Sequence, residues 1–394
     1  MFGQIPLDII LLFMLYGAAA ALEAIACIYL LLRRGNAFAP EVTPSRRLRR
    51  WTAVFFAVLA IGHLWYLPAA VLTSNDDFMM CMLVGELLDC VTCIPLIVVL
   101  LLCMLQDRRR QLWPVGVMML PFVALMLAGI VTRSETYMTM AYGYLLLLVV
   151  GFVVYIVRAV RQYGRWLRDN YADLEHKEVW HTFVLLAVIM LVFGYYTVGY
   201  DDGMFYEYVI QVCGIVMICH LLWRVETLSD LNELRIQENG NAGIREGDGE
   251  HQSPGNTGIQ DNIENQSPVD DSPSSEALSD VTNKRIGSLL KLHCEDARLY
   301  LYHGLTLAQL AQAIGSNRTY LGLYFSSQNI TYNSYINGLR IQHFVSLYRE
   351  SVAAGRDFTA QQLAQESGYR SYRTFTDAFR QRMGQSVTEW INGQ

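Results

Sequence analysis

The sequence predicts an all-α chain in three parts. They are a seven-helix transmembrane bundle with its amino terminus outside and carboxyl terminus inside, a disordered acidic linker, and a C-terminal all-α domain with two helix-turn-helix units. Three observations carry that expectation. Seven apolar runs fill the first 224 residues. A tract of Gly, Asn, Ser, Pro, Gln and acidic residues follows at 239–278. One eleven-residue pattern then occurs twice, 53 residues apart.

The apolar runs cover about 8–32, 51–73, 78–105, 112–132, 137–160, 180–199 and 204–223. Each reaches or approaches the roughly 20 residues that a bilayer crossing needs. Ala18-Ala19-Ala20 resembles a signal-peptide cleavage site, but no Lys or Arg precedes it and the run continues to Leu32. A retained first span is the expectation. Loop charge sets the orientation. The segments 33–50, 106–111, 157–179 and the exit at Arg224 hold 15 Lys and Arg, whereas the loops on the opposite side hold Arg133 alone. The first set is therefore placed in the cytoplasm.

Whole-chain charge, −6, conceals a partition. Residues 1–224 balance 16 basic against 16 acidic side chains; 225–283 hold 2 against 13; 284–394 hold 12 against 7. A basic terminal domain thus sits behind an acidic tether and calls for an anionic partner. Residues 239–278 have too little apolar surface to fold and read as a flexible linker. Just before them, Val225, Leu228, Leu231 and Leu234 lie at near-helical spacing, as a short dimer seam or an amphipathic extension would. Of eight cysteines, seven lie in the apolar half, and Cys90-Val-Thr-Cys93 stands inside an apolar run without a second pair, which favours packing over metal or redox chemistry.

The repeat matches Leu305–Gly315 with Phe358–Gly368, both reading apolar-T-x-x-Q-L-A-Q-x-x-G. Thr306 and Thr359 are expected N-caps, and Gln309 and Gln362 can close capping boxes. Leu305 can staple to Leu310, and Phe358 to Leu363. Ala311 and Ala364 admit a second helix closely, and Gly315 and Gly368 suit a left-handed turn. A second helix follows each glycine, capped by Asn317 and by Ser371. Tyr335, Leu339, Phe344, Leu347 and Tyr348 mark a long amphipathic helix between the two copies. A plain helical bundle accounts for the apolar positions but not for two matching caps and turns. Helix, turn, helix, twice, predicts DNA binding.

Residues 284–394, with "GSNRTYLGLYF", "YINGLRI" and "GYRSYRTFTDAFRQRMGQSVTEW", resemble the AraC/XylS-type DNA-binding domain. The resemblance implies a sequence-specific transcription regulator whose two reading helices enter successive major grooves. It further implies promoter DNA and RNA polymerase as partners. By its motif the outward positions are Arg318, Thr319 and Gly322 in the first unit and Tyr372, Arg373 and Thr376 in the second, while Arg370, Arg380 and Arg382 touch phosphates. Arg is the commonest reader of guanine edges, whereas phosphate contacts position without specifying. Three departures stand out: Ser326-Ser327 where the family often has Lys, Val387 in place of Pro, and Trp390 in place of Tyr. The first weakens backbone attraction in the first unit; the others concern packing.

Ionisable side chains inside spans carry a default expectation of function. Glu23, His63, Glu86 and Asp89 lie within spans one to three, and Glu207 and Gln211 near the outer end of span seven. With Tyr66, Tyr206 and Tyr208 they could line a site for an unknown small polar or cationic ligand; interhelical hydrogen bonding is the other reading. No phosphate loop, H-E-x-x-H or nucleophile elbow is present, so no enzyme activity, metal or cofactor is expected. The expected domains are 1–224, a membrane sensor; 225–283, extension and linker; and 284–394, the DNA-binding domain. The function expected is that of a membrane-bound one-component regulator, in which paired chains or proteolytic release carry the signal across the tether. A transporter or channel with a regulatory DNA-binding tail is the alternative.

Overall fold

A computed structural model describes residues 7–33, 36–40, 42–66, 68, 72, 74–108, 110–198, 204–231 and 280–394. The expected linker at 239–278, and Leu234 before it, lie outside the described residues. Among the described residues the secondary structure is helical, with only isolated β-bridges. Among the described residues fourteen α-helices follow one another. The first seven are α1 (Leu7–Leu32), α2 (Arg46–Trp65), α3 (Asn75–Met104), α4 (Trp113–Thr132), α5 (Glu135–Asn170), α6 (Trp180–Val198) and α7 (Met204–Thr227). The others are α8 (Asp280–Leu290), α9 (Leu307–Ala313), α10 (Arg318–Ser327), α11 (Tyr332–Ala353), α12 (Ala360–Glu366), α13 (Tyr372–Met383) and α14 (Val387–Asn392). The chain divides into two compact units, one of Met1–Arg165 with His176–Leu231 and one of Trp166–Glu175 with Asn232–Gln394.

In the first unit α2 packs against α1, α3 and α7, and α6 against α7. Leu87, Met119, Phe122, Met126 and Ala141 form an apolar core among α3, α4 and α5. Many large apolar side chains face outward instead, Leu146 at 65% and Leu147 at 73% exposure among them. Such a surface suits a lipid solvent better than water. Among the described residues five helices are long and apolar enough to cross a membrane: Ile10–Leu32 in α1, then α3, α4, α5, and Tyr208–Thr227 in α7. The other two differ for physical reasons. Helix α2 opens on Arg46, Arg47, Arg49 and Arg50, which shortens its apolar part. The described part of α6 adds a shorter apolar helix, Trp180–Ile189. Helix α5 runs to Asn170, ten residues past the apolar boundary, because the polar arginine-rich stretch after 160 stays helical.

At the exit from α7 the apolar row read as a dimer seam or an amphipathic extension is covered. Val225, Leu228 and Leu231 are each 0% exposed. Backbone bonds hold the segment in place: Asp230 N donates to Thr43 O at 3.0 Å and Ser229 N to His176 O at 3.0 Å. Gln106 works from both ends of its amide, Nε2 donating to Ser229 O at 2.9 Å and Oε1 accepting from Leu231 N at 2.8 Å. Those leucines therefore belong to the interior of their own unit.

The second unit has two apolar cores. Ile286, Leu290, Leu305, Leu307, Leu310, Ile314, Leu321, Phe325 and Ile336 build one. Ile341, Phe344, Leu363, Tyr369, Phe375, Phe379, Val387 and Trp390 build the other. Helix α11 passes from one core to the other, Ile336 and Ile341 marking the change, as the apolar stripe from Tyr335 to Tyr348 predicts.

Candidate nucleic-acid interface

Both copies of the repeat fold as their residues dictate. Thr306 Oγ1 accepts from Gln309 N at 3.3 Å while Thr306 N donates to Gln309 Oε1 at 3.0 Å. Thr359 and Gln362 make the same reciprocal pair at 3.1 and 2.9 Å. Each box satisfies backbone donors that a helix start leaves without partners. Each helix then ends on a left-handed glycine, Gly315 at φ 65° and Gly368 at φ 90°. In both, the next residue folds its N–H back to the buried alanine: Ser316 N to Ala311 O at 2.8 Å and Tyr369 N to Ala364 O at 3.1 Å. The following helices start on Asn317, whose side chain accepts from Tyr320 N, and Ser371, whose side chain accepts from Thr374 N.

The helices after the glycines bury one side and present the other. Helix α10 buries Leu321 and Phe325, and α13 buries Phe375 and Phe379. Arg318 and Thr319 are exposed and Gly322 half-buried on the first. On the second, Tyr372, Arg373 and Arg380 are exposed, and Thr376 is half-buried with its hydroxyl donating to Arg373 O at 2.8 Å. Arg373 and Arg380, seven residues apart or about two turns, share one face. Arg382 lies nine residues beyond Arg373, about 2.5 turns, and so on the opposite side. There its guanidinium carbon is 4.0 Å from where a side chain on Gly338 of α11 would begin. Arg370 is exposed just before the Ser371 cap.

Helices α10 and α13 each carry an arginine in the first turn, Arg318 at the first helical position and Arg373 at the second. A cation there opposes the helix dipole, though Arg318 Nη2 also donates to Asn170 Oδ1. Arg380 and Arg382 stand in the last turn of α13, where a cation is favourable for the helix alone. Arg373 is thus the stronger sign of an anionic partner.

Two features escape the sequence reading. Arg340, 1% exposed, donates from Nε to Tyr300 O at 2.8 Å and from Nη2 to Tyr302 O at 2.9 Å, and its guanidinium lies 5.4 Å from the centre of the Tyr369 ring. It ties the turn before α9 to the turn before α13. Burial lowers its pKa from the usual value, opposed by Tyr369 and Tyr332. Its position four residues after Ile336 and four before Phe344 is the signal that marks it as inward-facing. The second feature is a third capping box, at α14. Ser386 Oγ accepts from Glu389 N at 3.2 Å and Ser386 N donates to Glu389 Oε2 at 2.7 Å. The S-x-x-E spelling is present in the sequence. The two packing departures settle into the second core, with Val387 buried and Trp390 meeting Phe379 and Tyr348 edge-on and Phe344 at a tilt.

Among the described residues the intramembrane candidates pair with several neighbours. His63 Nδ1 lies 2.9 Å from Leu59 O and 3.3 Å from Glu23 Oε2, one N–H between two acceptors. Asp89 accepts from Trp65 Nε1 at 3.0 Å and from Tyr66 OH at 2.6 Å. Glu86, three residues earlier, turns to Tyr142 of α5 instead, at 2.9 Å. Tyr208 OH donates to Asp8 O at 2.6 Å. The side chain of Glu207, and that of Tyr206, lie outside the described residues.

Residues 357–392 match the family model for bacterial regulatory helix-turn-helix proteins of the AraC family. No curated protein and no solved structure matches the chain. The matched stretch takes in α12, α13 and α14, the second copy of the repeat. The C-terminal region of this chain accordingly carries an AraC-family helix-turn-helix, the mark of a regulatory DNA-binding protein.

Proposed function

We propose that the chain is a membrane-bound, one-component transcription regulator of the bacterial inner membrane, with residues 1–224 as sensor and 284–394 as a cytoplasmic DNA-binding domain. The observation that carries the reading is one chain holding both an AraC-type helix-turn-helix and five helices apolar enough to cross a bilayer. Both copies of the repeat act as DNA-binding units in this reading. The first supplies Arg318, Thr319 and Gly322, the second Tyr372, Arg373 and Thr376, with Arg370 and Arg380 on phosphates and Arg382 contributing least. Promoter DNA and RNA polymerase are its partners, and paired chains its working form.

With α2 and α6 counted, the bundle crosses seven times, amino terminus outside. Alkaline phosphatase fused after Asp77 or Asp202 is then active, and inactive after Arg110 or Arg168; activity at Arg110 contradicts the map. Sensing falls to Glu23, His63, Glu86, Asp89 and Glu207. Glu86 and Asp89 also join helices, so Glu86→Gln or Asp89→Asn should remove the response with membrane level unchanged. A fall in membrane level alone assigns them to bundle stability. The decisive experiment maps genomic DNA bound by the full chain and by the Arg373→Ala chain at equal membrane level. Discrete promoter sites lost in the variant support the reading; no enrichment by either refutes it.

A further inference from the structure

Residues 166–175 belong to the same compact unit as α8–α14. Ala172, 1% exposed, is part of the first core beside Leu305, Leu307 and Tyr332. Tyr171 pairs with Thr306 in an antiparallel bridge. Two asparagines of α11 fasten the same point: Asn333 Nδ2 donates to Ala172 O at 2.7 Å and Tyr171 O at 3.2 Å, and Asn337 Nδ2 donates to Ala172 O at 3.2 Å. From this anchor the segment reaches both reading helices. Asn170 Oδ1 accepts from Arg318 Nη2 at the start of α10. Glu175 Oε2 accepts from Thr374 Oγ1 in the first turn of α13, at 3.0 Å. Asp169 and Asn170 also line a groove of about 470 Å³ with Thr319, Gly322 and Ser326 of α10.

The contacts with Arg318, Thr319 and Gly322 fall on the face of α10 that DNA would need. A major groove about 12 Å wide admits one helix of about 10–12 Å diameter and leaves no room for a second segment on its outward side. The segment also bears the sign of its competitor, with Asp169, Asp173 and Glu175 within seven residues. We infer that residues 169–175 form an acidic strap that covers the reading face of α10, so that strap and duplex DNA bind in alternation and the strapped unit is held off DNA. The inference rests on the DNA-binding reading above. It gives the chain a control that needs no stiffness in 239–278, because the state of the strap alone sets how much of the unit is competent to bind.

The test uses the full chain in nanodiscs and random-sequence duplexes of about 30 base pairs, long enough for two successive major-groove sites. The Asn170→Ala/Glu175→Ala chain should bind roughly 5- to 150-fold more tightly than the unaltered chain, the usual span of a coupling between sites. Deuterium uptake by the unaltered chain gives a second readout that needs no substitution: exchange across 166–178 should rise when DNA is added. Equal affinity of the two chains, with exchange across 166–178 unchanged by bound DNA, overturns the strap and leaves DNA binding standing. Rising exchange with a double variant that has lost its fold still supports the strap. If neither chain binds duplex at low salt, the DNA-binding reading and the strap fall together.

Discussion

The two copies of the repeat are near twins in backbone and unlike in surface. Both have a Thr–Gln capping box, a buried alanine, a left-handed glycine and a polar cap on the second helix. Yet the outward face of α13 carries Arg373 and Arg380, whereas that of α10 carries Thr319, Gly322 and Ser326, with Arg318 at its edge. The glycines differ as well. A side chain added to Gly315 would meet nothing within 4 Å, whereas one on Gly368 would stand 2.8 Å from Leu301 Cα and 2.9 Å from Leu301 O. Caps and turns fix the path of the chain in each copy; the solvent-facing positions are free to diverge and set what each helix can recognise. The family match over 357–392 falls on the copy with the more basic face.

The glycines give the largest expected difference. Gly315→Ala should cost about 1–2 kcal/mol, the penalty of a left-handed backbone for a residue with a Cβ. Gly368→Ala should cost more, since Leu301 is backbone and must shift. Chemical unfolding of the full chain, followed by exchange at α10 and α13, checks this; equal losses would remove the asymmetry. Next comes the reading face. Arg373→Ala should weaken binding to a selected site by about 1–3 kcal/mol and relax preference at one base pair. Arg382→Ala, on the opposite side of α13, should cost less and affect all sequences alike. Titrations against selected and random duplexes separate the two, and equal losses on both for Arg373→Ala would refute base reading.

The smallest effect concerns pH. The Ser386 N–H and hydroxyl hold the Glu389 carboxyl below the usual carboxylate range. A depressed folded-state pKa means that its contribution is complete above the unfolded value and is lost as pH falls through the folded one. Glu389→Gln keeps a capping partner without a charge, so its stability should fall less than that of the unaltered chain on acidification. Parallel curves would mean that the box contributes through neutral hydrogen bonds alone.

What could be read in the sequence was what recurs or alternates by rule. Thr306, Thr359, Asn317, Ser371 and the two glycines announce their roles because caps and left-handed turns depend on one residue and its near neighbours. The stripe from Tyr335 to Tyr348 announces α11 through its period. Arg340 was hidden because a charge reads as solvent-facing until Tyr300 O and Tyr302 O, 40 and 38 residues away, supply its partners. Leu228 and Leu231 misled for the converse reason: a short leucine row looks the same whether another chain or its own unit covers it. The pairing of Asp89 with Trp65 and Tyr66 but of Glu86 with Tyr142 is equally tertiary, set by which helices flank α3. Segment 166–175 gave no sign at all, since its partners lie more than 130 residues away in sequence.

The central claim, that both copies read DNA from one chain, is tested most directly by hydroxyl-radical footprinting of the full chain in nanodiscs on a duplex selected from genomic DNA. Two protected windows on one face of the helix, about 10–10.5 base pairs apart centre to centre, are the predicted result. Arg373→Ala should thin one window and Arg318→Ala the other. A single window, insensitive to Arg318→Ala, would contradict the account and leave α12–α13 as the sole reader.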